Sequence, residues 1–141
     1  MQLQEGTVAK TVEELKAWQR AREFAVAVFA ILACQEFERE RQLRDQIKDA
    51  ADSMVSNIAE GFEQSTDRSF ARYLYTAKGS TAEVRARLSL AVERRLISRE
   101  EFARLDSLGD EVARIITGLI KYLVQSDRRD RGLGGIRPRR R

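Results

Sequence analysis

The sequence of 141 residues is long enough for one compact domain and too short for two of ordinary size. It contains no histidine and one cysteine, which excludes histidine-dependent catalytic triads, histidine-ligated metal sites and an intramolecular disulfide. The net charge of +4 is unevenly distributed, since residues 127–141 carry +5 and the residues before them carry −1. We therefore expect one near-neutral domain with a basic tail, and no metal, cofactor or small-molecule substrate.

The sequence gives no indication of export or membrane insertion. Its first residues lack the positive and apolar regions of a signal peptide. The most apolar stretch, residues 112–124, carries Arg114 and Lys121 and is shorter than the roughly 20 apolar residues that a membrane span needs. The single Cys34 is consistent with a reducing compartment. We expect a cytoplasmic protein with no membrane partner.

The first helix is predicted to begin at Thr11, because Thr11 and Glu14 have the S/T-x-x-E spacing of a capping box. We expect it to end near Gln35, and we expect residues 1–10 to form a flexible N-terminus. Helical spacing places its apolar residues on one stripe. The residues of this stripe are Leu15, Trp18, Ala21, Ala25, Val28 and Leu32.

The second helix is predicted to run from about Phe37 to Gly61, where the glycine is expected to end it. Polar residues cluster near this end, and Asn57 lies only three residues beyond the core position Met54. An asparagine so close to the core needs hydrogen-bond partners, so we interpret the cluster as a buried network that fixes helix register. Its members are Ser53, Ser56, Asn57 and Glu60.

An alternative interpretation of this cluster is chemical. Glu60, together with Glu63 or Glu83, could form a carboxylate pair for acid–base or metal chemistry. Two carboxylates without a histidine or a nucleophile give only a weak signal. We therefore expect no enzymatic activity and no catalytic residue.

Two further helices are predicted from well-defined caps. Thr66 caps the third helix, which ends near Arg95, and Ser98 with Glu101 forms the capping box of the fourth. Apolar residues in both helices step alternately by four and three, the a/d spacing of a bundle helix. Short connections force consecutive helices to be antiparallel. The predicted fold is all-α, an antiparallel up-down-up-down four-helix bundle over residues 11–126, followed by a disordered Arg-rich tail over residues 127–141.

Several small and aromatic residues have structural interpretations. Gly79 is predicted to face Ala50 and Ala51, which would draw helices 2 and 3 together. Cys34 is predicted to be a packing residue in the core or at its rim. Trp18 and most of the tyrosines are expected to pack structurally rather than to stack on nucleic-acid bases.

The second and third helices carry opposite charge, with −4 in residues 36–63 and +4 in residues 66–95. Two interpretations remain open. The charges form solvated faces with some pairing between helices, or a basic surface holds a phosphate backbone while an acidic surface meets a partner. Two interpretations of the tail also remain open. The tail becomes ordered on RNA, or it serves solubility alone.

The candidate nucleic-acid contacts are the basic residues of helix 3 and of the tail. No zinc finger or other nucleic-acid motif accompanies them, so the signal is electrostatic only. On helix 3 they are Arg68, Arg72, Lys78, Arg85, Arg87, Arg94 and Arg95. In the tail they are Arg128, Arg129, Arg131, Arg137, Arg139, Arg140 and Arg141.

Motifs in the first three helices carry a family resemblance. They are Trp18-Gln-Arg-Ala21, Ser56-Asn-Ile-Ala-Glu-Gly61 and Ala77-Lys-Gly-Ser80 followed by Glu83. Over residues 15–124 the chain resembles the four-helix bundle proteins encoded in intervening sequences of bacterial 23S ribosomal RNA genes. The motif residues to which we assign a structural role are Ser56, Asn57, Glu60, Gly61, Gly79, Ser80 and Glu83.

This resemblance implies a bundle that assembles as a ring-like homopentamer, similar to the accessory variability proteins of diversity-generating retroelements. Those proteins bind nucleic acid and a reverse transcriptase through basic outer surfaces, and no enzymatic activity is associated with the family. Two functions follow as hypotheses. The first is a non-enzymatic homo-oligomer that binds RNA or DNA through phosphate contacts. The second is a protein-interaction scaffold, for example for a reverse transcriptase, with no nucleic-acid role.

Overall fold

Four α-helices make up most of residues 9–132, the part of the chain that the computed structural model describes. They are α1 (Lys16–Leu32), α2 (Arg41–Phe62), α3 (Asp67–Glu93) and α4 (Arg99–Gly132). Short 3₁₀ turns at Val12–Glu14 and Gln35–Arg39 precede α1 and α2. No β-strand occurs between residues 9 and 132. The prediction of an all-α chain with four helices is therefore confirmed.

The apolar faces of the four helices meet in one core. α2 packs mainly against α1 and α3, and α4 packs mainly against α3 and α1. In α4 the predicted a/d stripe is buried from Leu105 to Leu123, and Phe102 before it is half-buried. The whole predicted stripe of α3 is buried, and its members are Phe70, Leu74, Ala77, Thr81, Val84, Leu88 and Ala91. This packing is that of a helical bundle.

Two of the three predicted caps are present. The Thr66 side chain accepts a hydrogen bond from the Ser69 amide at 3.1 Å and so satisfies one exposed donor at the start of α3. At α4 the Ser98 amide donates to Glu101 Oε1 at 3.0 Å, and the Glu101 amide donates to Ser98 Oγ at 3.1 Å. Both orphan amides of this capping box are thereby satisfied reciprocally.

The prediction of a third cap, at Thr11, is wrong. Thr11 makes no capping hydrogen bond with its side chain, and α1 begins at Lys16 after an extended Leu15. Leu15 is buried in the core. Because its backbone is extended, Leu15 separates Glu14 from the first turn of α1. The Glu14 carboxylate instead accepts a hydrogen bond from the Lys10 amide at 2.8 Å. Residues 1–8 of the predicted flexible N-terminus lie outside the described residues.

The structure places both ends of helix 2 at residues other than those predicted. The α-helix begins at Arg41 rather than Phe37, because Phe37 is fully buried within a separate 3₁₀ turn. Gly61 does not end the helix, which continues to Phe62. A Cβ atom at position 61 would lie 2.8 Å from both Phe70 Cδ1 and Tyr73 Cβ, so the glycine is required by close packing against α3.

The predicted contact of Gly79 with Ala50 and Ala51 is wrong. Gly79 is exposed, and within the described part of the chain no atom lies within 4 Å of the place where its Cβ would be. The reason is helical geometry, since residue 79 follows the core residue Ala77 by two and therefore lies on the opposite side of α3. Ser80 is the residue that faces α2.

The predicted domain boundary at residue 126 is also wrong. α4 continues to Gly132, and Asp127 is only 5% exposed. Asp127 follows the buried Leu119 and Leu123 at helical spacing, and its carboxylate accepts from Arg131 one turn later at 2.8 Å. The first six residues of the predicted tail therefore belong to α4. Residues 133–141 lie outside the described residues.

Cys34 and two tyrosines are more exposed than the sequence indicated. Cys34 lies in the turn after α1, where Leu32 and Phe37 fill the end of the core and leave the residues between them facing solvent. Trp18 is half-buried against the core, as expected. Tyr75 and Tyr122 are 57% and 39% exposed, so these two rings lie outside the core.

The length and the apolar content of each helix between residues 9 and 132 determine whether it could span a membrane. None of them combines the length and the apolar content that crossing a bilayer requires.

Candidate nucleic-acid interface

The predicted polar cluster on α2 makes a contact with the family-motif residue Ser80 on α3. The hydroxyl oxygens of Ser53 and Ser80 are 2.8 Å apart. The Asn57 amide nitrogen donates to the Ser53 carbonyl at 2.8 Å and to Ser53 Oγ at 3.1 Å. Ser56 is exposed and donates only to the Ser53 carbonyl of its own helix, at 3.3 Å. The network is present in part: Ser53 and Asn57 are half-buried and hydrogen-bonded, whereas Glu60 is exposed and no hydrogen bond joins its side chain to them among the described residues.

The carboxylates of the alternative, chemical interpretation are in different surroundings. Glu83 is paired with Arg87 on its own helix at 2.9 Å. Glu60 is exposed and lines an open surface depression with Glu63 and Tyr73. Across residues 9–132, no group of three or more cysteine or acidic side chains is placed to hold a metal ion.

Arg85, on α3, contacts two carboxylates of α4. Its guanidinium makes a two-point contact with Asp106, at 2.8 Å from Nε and 3.2 Å from Nη2, and lies 3.7 Å from Asp110. The hydrogen bond to the Asp106 carboxylate raises the pKa of Arg85 above its ordinary value, and partial burial acts in the opposite sense. Arg85 is therefore committed to joining these two helices.

Two more arginines of the candidate set, Arg87 and Arg94, are also occupied by other side chains of the protein. Arg87 donates to Glu83 and, at 2.7 Å, to the Gln46 side chain on α2. Arg94 is paired with Glu40 at 2.8 Å. Of these contacts, Arg94 with Glu40 joins opposite charges of the two segments, whereas the ion pair of Arg87 with Glu83 stays within α3.

Arg95 ends α3 in a backbone conformation that is unusual for its residue type. Its φ of 59° lies in the left-handed region, where glycine is favoured. The Leu96 amide donates to the Ala91 carbonyl at 2.8 Å, and the Arg95 amide donates to the Val92 carbonyl at 2.9 Å. These two bonds form a Schellman motif with arginine at the position that glycine usually occupies.

Four of the remaining basic side chains lie together at the other end of α3. Arg68 and Arg72, from its first two turns, line a cavity of about 210 Å³ together with Arg128 and Arg131 from the last turns of α4. We name these four arginines the terminal arginine cluster. Among the described residues, Arg68, Arg72 and Arg128 have no carboxylate within ion-pair distance. The same holds for exposed Lys78 and Arg129 within residues 9–132.

Tyr75, Asp127 and two apolar residues, Ala71 and Val124, also line this cavity. Asp127 Oδ2 accepts from Arg131, whereas Oδ1 is buried and has no hydrogen-bond donor among the described residues. A buried acceptor without a donor costs about 1–3 kcal/mol of stability. The sequence analysis set the tyrosines aside as mostly structural and assigned Asp127 to the tail. Asp127 nevertheless stands four residues after Leu123 and four before Arg131, a spacing that continues the buried stripe of α4.

Four helices around one apolar core, with unpaired arginines gathered at one end, define a small helical-bundle protein with a basic end. Residues 13–118 match the sequence model of a family described as 23S rRNA-intervening sequence protein. The chain belongs to this family, which confirms the resemblance seen in its motifs.

A solved structure supports the same fold. It is a protein of unknown function from the S23 ribosomal protein family of Bacteroides thetaiotaomicron, with 21% sequence identity and a TM-score of 0.67. The match covers 74% of this chain and 98% of the Bacteroides chain. At this identity the likeness concerns the fold alone. No curated protein matches the chain.

Proposed function

We propose that the chain is a non-enzymatic homo-oligomer that binds RNA or DNA through phosphate contacts at the end where α3 begins and α4 finishes. The observation that carries this proposal is the terminal arginine cluster, in which three of four guanidinium groups lack a carboxylate partner among residues 9–132. Unpaired guanidinium groups can neutralise phosphates without first breaking an intramolecular ion pair.

The proposed interface is smaller than the set of basic residues that the sequence offered. Arg85, Arg87 and Arg94 are excluded because they are occupied by Asp106, Glu83 and Glu40. The interface retains Arg68, Arg72 and Arg128. Arg131 lies beside them but is paired with Asp127, and exposed Lys78 and Arg129 are further candidates without a carboxylate partner among residues 9–132. After Gly132 the sequence contains four further arginines that are candidates for additional phosphate contacts, and they are Arg137, Arg139, Arg140 and Arg141.

The antiparallel order of the helices is part of the proposal. Contacts between α2 and α3 support it, because partners that come earlier on α2 come later on α3. Phe62 meets Phe70 edge to face at 6.2 Å, Ser53 meets Ser80, and Glu40 meets Arg94. Between α1 and α4, Arg20 contacts Glu111 at 3.5 Å, and Phe24 lies beside Gly109.

A ring-like homopentamer is proposed from the family resemblance. An assembly would cover apolar side chains that are exposed on three different helices, and they are Val26, Leu90 and Tyr122. Sedimentation at micromolar concentration should give a single oligomer. A monomer under these conditions would overturn this part of the proposal.

These exposed apolar residues also favour the second candidate function, a protein-interaction scaffold. In that case the basic end would serve assembly or solubility, and a protein partner such as a reverse transcriptase would bind elsewhere. This function predicts no measurable affinity for nucleic acid.

Fluorescence anisotropy with labelled single-stranded and duplex RNA and DNA over a series of salt concentrations separates the two functions. Phosphate binding gives a steep dependence of log affinity on log salt, with about 0.7–0.9 counterions released per neutralised phosphate. The triple variant Arg68→Ala, Arg72→Ala, Arg128→Ala should lower this slope by about 2–3. No binding by the full chain, or an unchanged slope in the variant, would contradict the proposed interface.

A second triple variant provides the matched control. Arg22→Ala, Lys48→Ala and Arg104→Ala remove the same charge from exposed positions on α1, α2 and the start of α4. Their effect on the slope should be small, because none of them lines the cavity. A chain ending at Gly132 then measures the contribution of the tail arginines separately.

A further inference from the structure

The side of α3 that faces away from the core carries an exposed apolar face. Tyr75 and Leu90, at its two ends, are 57% and 43% exposed. The residues between them are small and exposed, so another helix can approach the backbone closely here. With about 3.6 residues per turn, the whole set falls within an arc of about 80° on the helix surface. We name this set the outer face of α3, and its members are Tyr75, Gly79, Ala82, Ala86 and Leu90.

A charged residue continues this face at each end. Arg72 stands three residues before Tyr75, and Glu93 stands three residues after Leu90. Both charged side chains are exposed, and neither has an ion-pair partner among residues 9–132. The outer face of α3 therefore has an available positive charge at one end and an available negative charge at the other.

The spacing of this face is the same when it is followed from either end. Gly79 follows Tyr75 by four positions, and Ala86 precedes Leu90 by four positions. If two copies of α3 lie antiparallel with Tyr75 level with Leu90 of the partner subunit, Gly79 lies level with Ala86 of the partner subunit. A two-fold axis then repeats each contact, so both large apolar side chains of each copy are covered.

The charges favour this antiparallel arrangement. In the same register Arg72 lies level with Glu93 of the partner subunit, and the two-fold axis gives two such pairs. Parallel copies would instead place Arg72 beside Arg72 of the partner subunit, and like charges so placed repel each other. Glu83 lies near the two-fold axis, where Arg87 of its own helix already balances its charge. The face is therefore complementary to itself in both charge and side-chain size.

We propose that the outer face of α3 binds the same face of a second copy of this chain, antiparallel and about a two-fold axis. A second copy supplies, at the matching positions, a large apolar side chain for each end and an opposite charge beyond it. Small residues at the centre allow the helix axes to approach to about 8 Å, the lower end of the usual range. Of the terminal arginine cluster this contact engages Arg72 alone, so Arg68 and Arg128 remain available to phosphate.

This contact differs in symmetry from the contacts of a ring. A two-fold contact joins copies in pairs through the same surface, whereas a ring closes through contacts between different surfaces. The two can coexist, because the two-fold contact then joins one ring to another. In either case the assembly contains an even number of copies. The inference goes beyond the proposed function and does not depend on nucleic acid.

Sedimentation equilibrium of the full chain at micromolar concentration, without nucleic acid, counts the copies. The wild type should contain an even number. Ala86→Arg places a large charged side chain in the contact and should halve the mass of the assembly. The matched control Ala103→Arg makes the same change at an exposed position of α4 and should leave the mass unchanged. Circular dichroism checks that both variants are folded. A single copy or an odd number in the wild type, or an undiminished mass in Ala86→Arg, would overturn the inference.

An exchange of charges tests the register. Arg72→Glu and Glu93→Arg, made singly, each place like charges together at both ends of the contact, so each should weaken the pairing about tenfold. The double variant restores opposite charges and should pair with an affinity within about threefold of the wild type. A dilution series followed by sedimentation measures these affinities. Additive weakening in the double variant would contradict the antiparallel register.

Disulfide cross-linking locates the two-fold axis, with Cys34→Ser as the background so that no other thiol is present. The axis passes beside residue 82, so Ala82→Cys should form a disulfide with its own copy under mild oxidation. Ala86→Cys should not, because the two Cα atoms would be about 10 Å apart along the helices, beyond the roughly 7 Å that a disulfide spans. Parallel copies would cross-link equally at both positions, and that result, or no cross-link at residue 82, would overturn the proposed contact.

Discussion

The hydroxyl oxygens of Ser53 on α2 and Ser80 on α3 lie 2.8 Å apart and join two helices whose contact is otherwise largely apolar. Asn57 donates to Ser53 Oγ, so the Ser53 hydroxyl proton is available for Ser80. A hydrogen bond between helices restricts how far one helix can slide along the other, because sliding separates the two oxygens.

Ser80→Ala should lower the free energy of unfolding by about 0.5–1.5 kcal/mol, the usual net value of one hydrogen bond. Urea denaturation measures this value. Ser89→Ala, at an exposed position of the same helix, is the control and should have little effect. In a double-mutant cycle Ser53→Ala should add less to Ser80→Ala than it costs alone. Full additivity would show that the two hydroxyls are not coupled.

Substitution of two glycines by alanine should have opposite effects on stability. Gly79→Ala should stabilise the protein by about 0.5–1 kcal/mol, because alanine is the better helix former and its Cβ meets open space. Gly61→Ala should destabilise by about 1–3 kcal/mol, because its Cβ would overlap with Phe70 and Tyr73. Thermal unfolding compares the two. Destabilisation by Gly79→Ala would restore the rejected contact with α2.

Arg95→Gly should stabilise the protein by about 0.5–1 kcal/mol. The left-handed backbone costs a residue with a Cβ about 1–2 kcal/mol, and the greater freedom of glycine in the unfolded chain offsets part of that gain. Urea denaturation checks this prediction, with exposed Arg104→Gly, inside α4, as a control that should destabilise. A loss of stability in Arg95→Gly would mean that its side chain makes a larger contribution than its backbone strain.

Arg85→Ala should lower stability by about 0.5–1 kcal/mol, since its ion pair with Asp106 is bidentate and roughly one third exposed. The pKa of Arg85 is raised in the folded state, so the stabilisation is fully present below the unfolded pKa and is lost only as pH rises through the folded pKa. That window lies in strongly alkaline solution. The stability difference between wild type and variant should thus be the same at pH 6 and pH 9, and a change between them would point to another titrating group.

The buried faces of the helices could be predicted because they depend on local spacing. Core positions such as Leu74 and Ile116 follow from the a/d pattern, and the Thr66 and Ser98 caps follow from residues within one turn. The pattern also contained the answer for Gly79, which stands two residues from Ala77 and so faces away from the core.

The functional part of the surface could not be predicted in the same way. Arg85 and Arg68 look alike in the sequence, and only the position of Asp106 on another helix separates an occupied arginine from an available one. Asp127 was assigned to the tail because the residues after it are charged. The spacing from Leu119 and Leu123 places Asp127 on the inner face only if α4 continues past residue 126, and the charged residues that follow did not indicate that it does.

The exposed cysteine in the turn after α1 gives the molecule a natural attachment point for a reporter. Cys34 shares a surface depression with Leu96, beyond the end of α3, whereas Arg68 and Arg72 belong to the first turns of that helix. Twenty-seven residues of α-helix span about 40 Å, so a dye on this sulfur stands far from the basic end. As the sequence has one thiol, energy transfer from Cys34 to a labelled strand can report the polarity with which the strand runs across the protein, without further substitution.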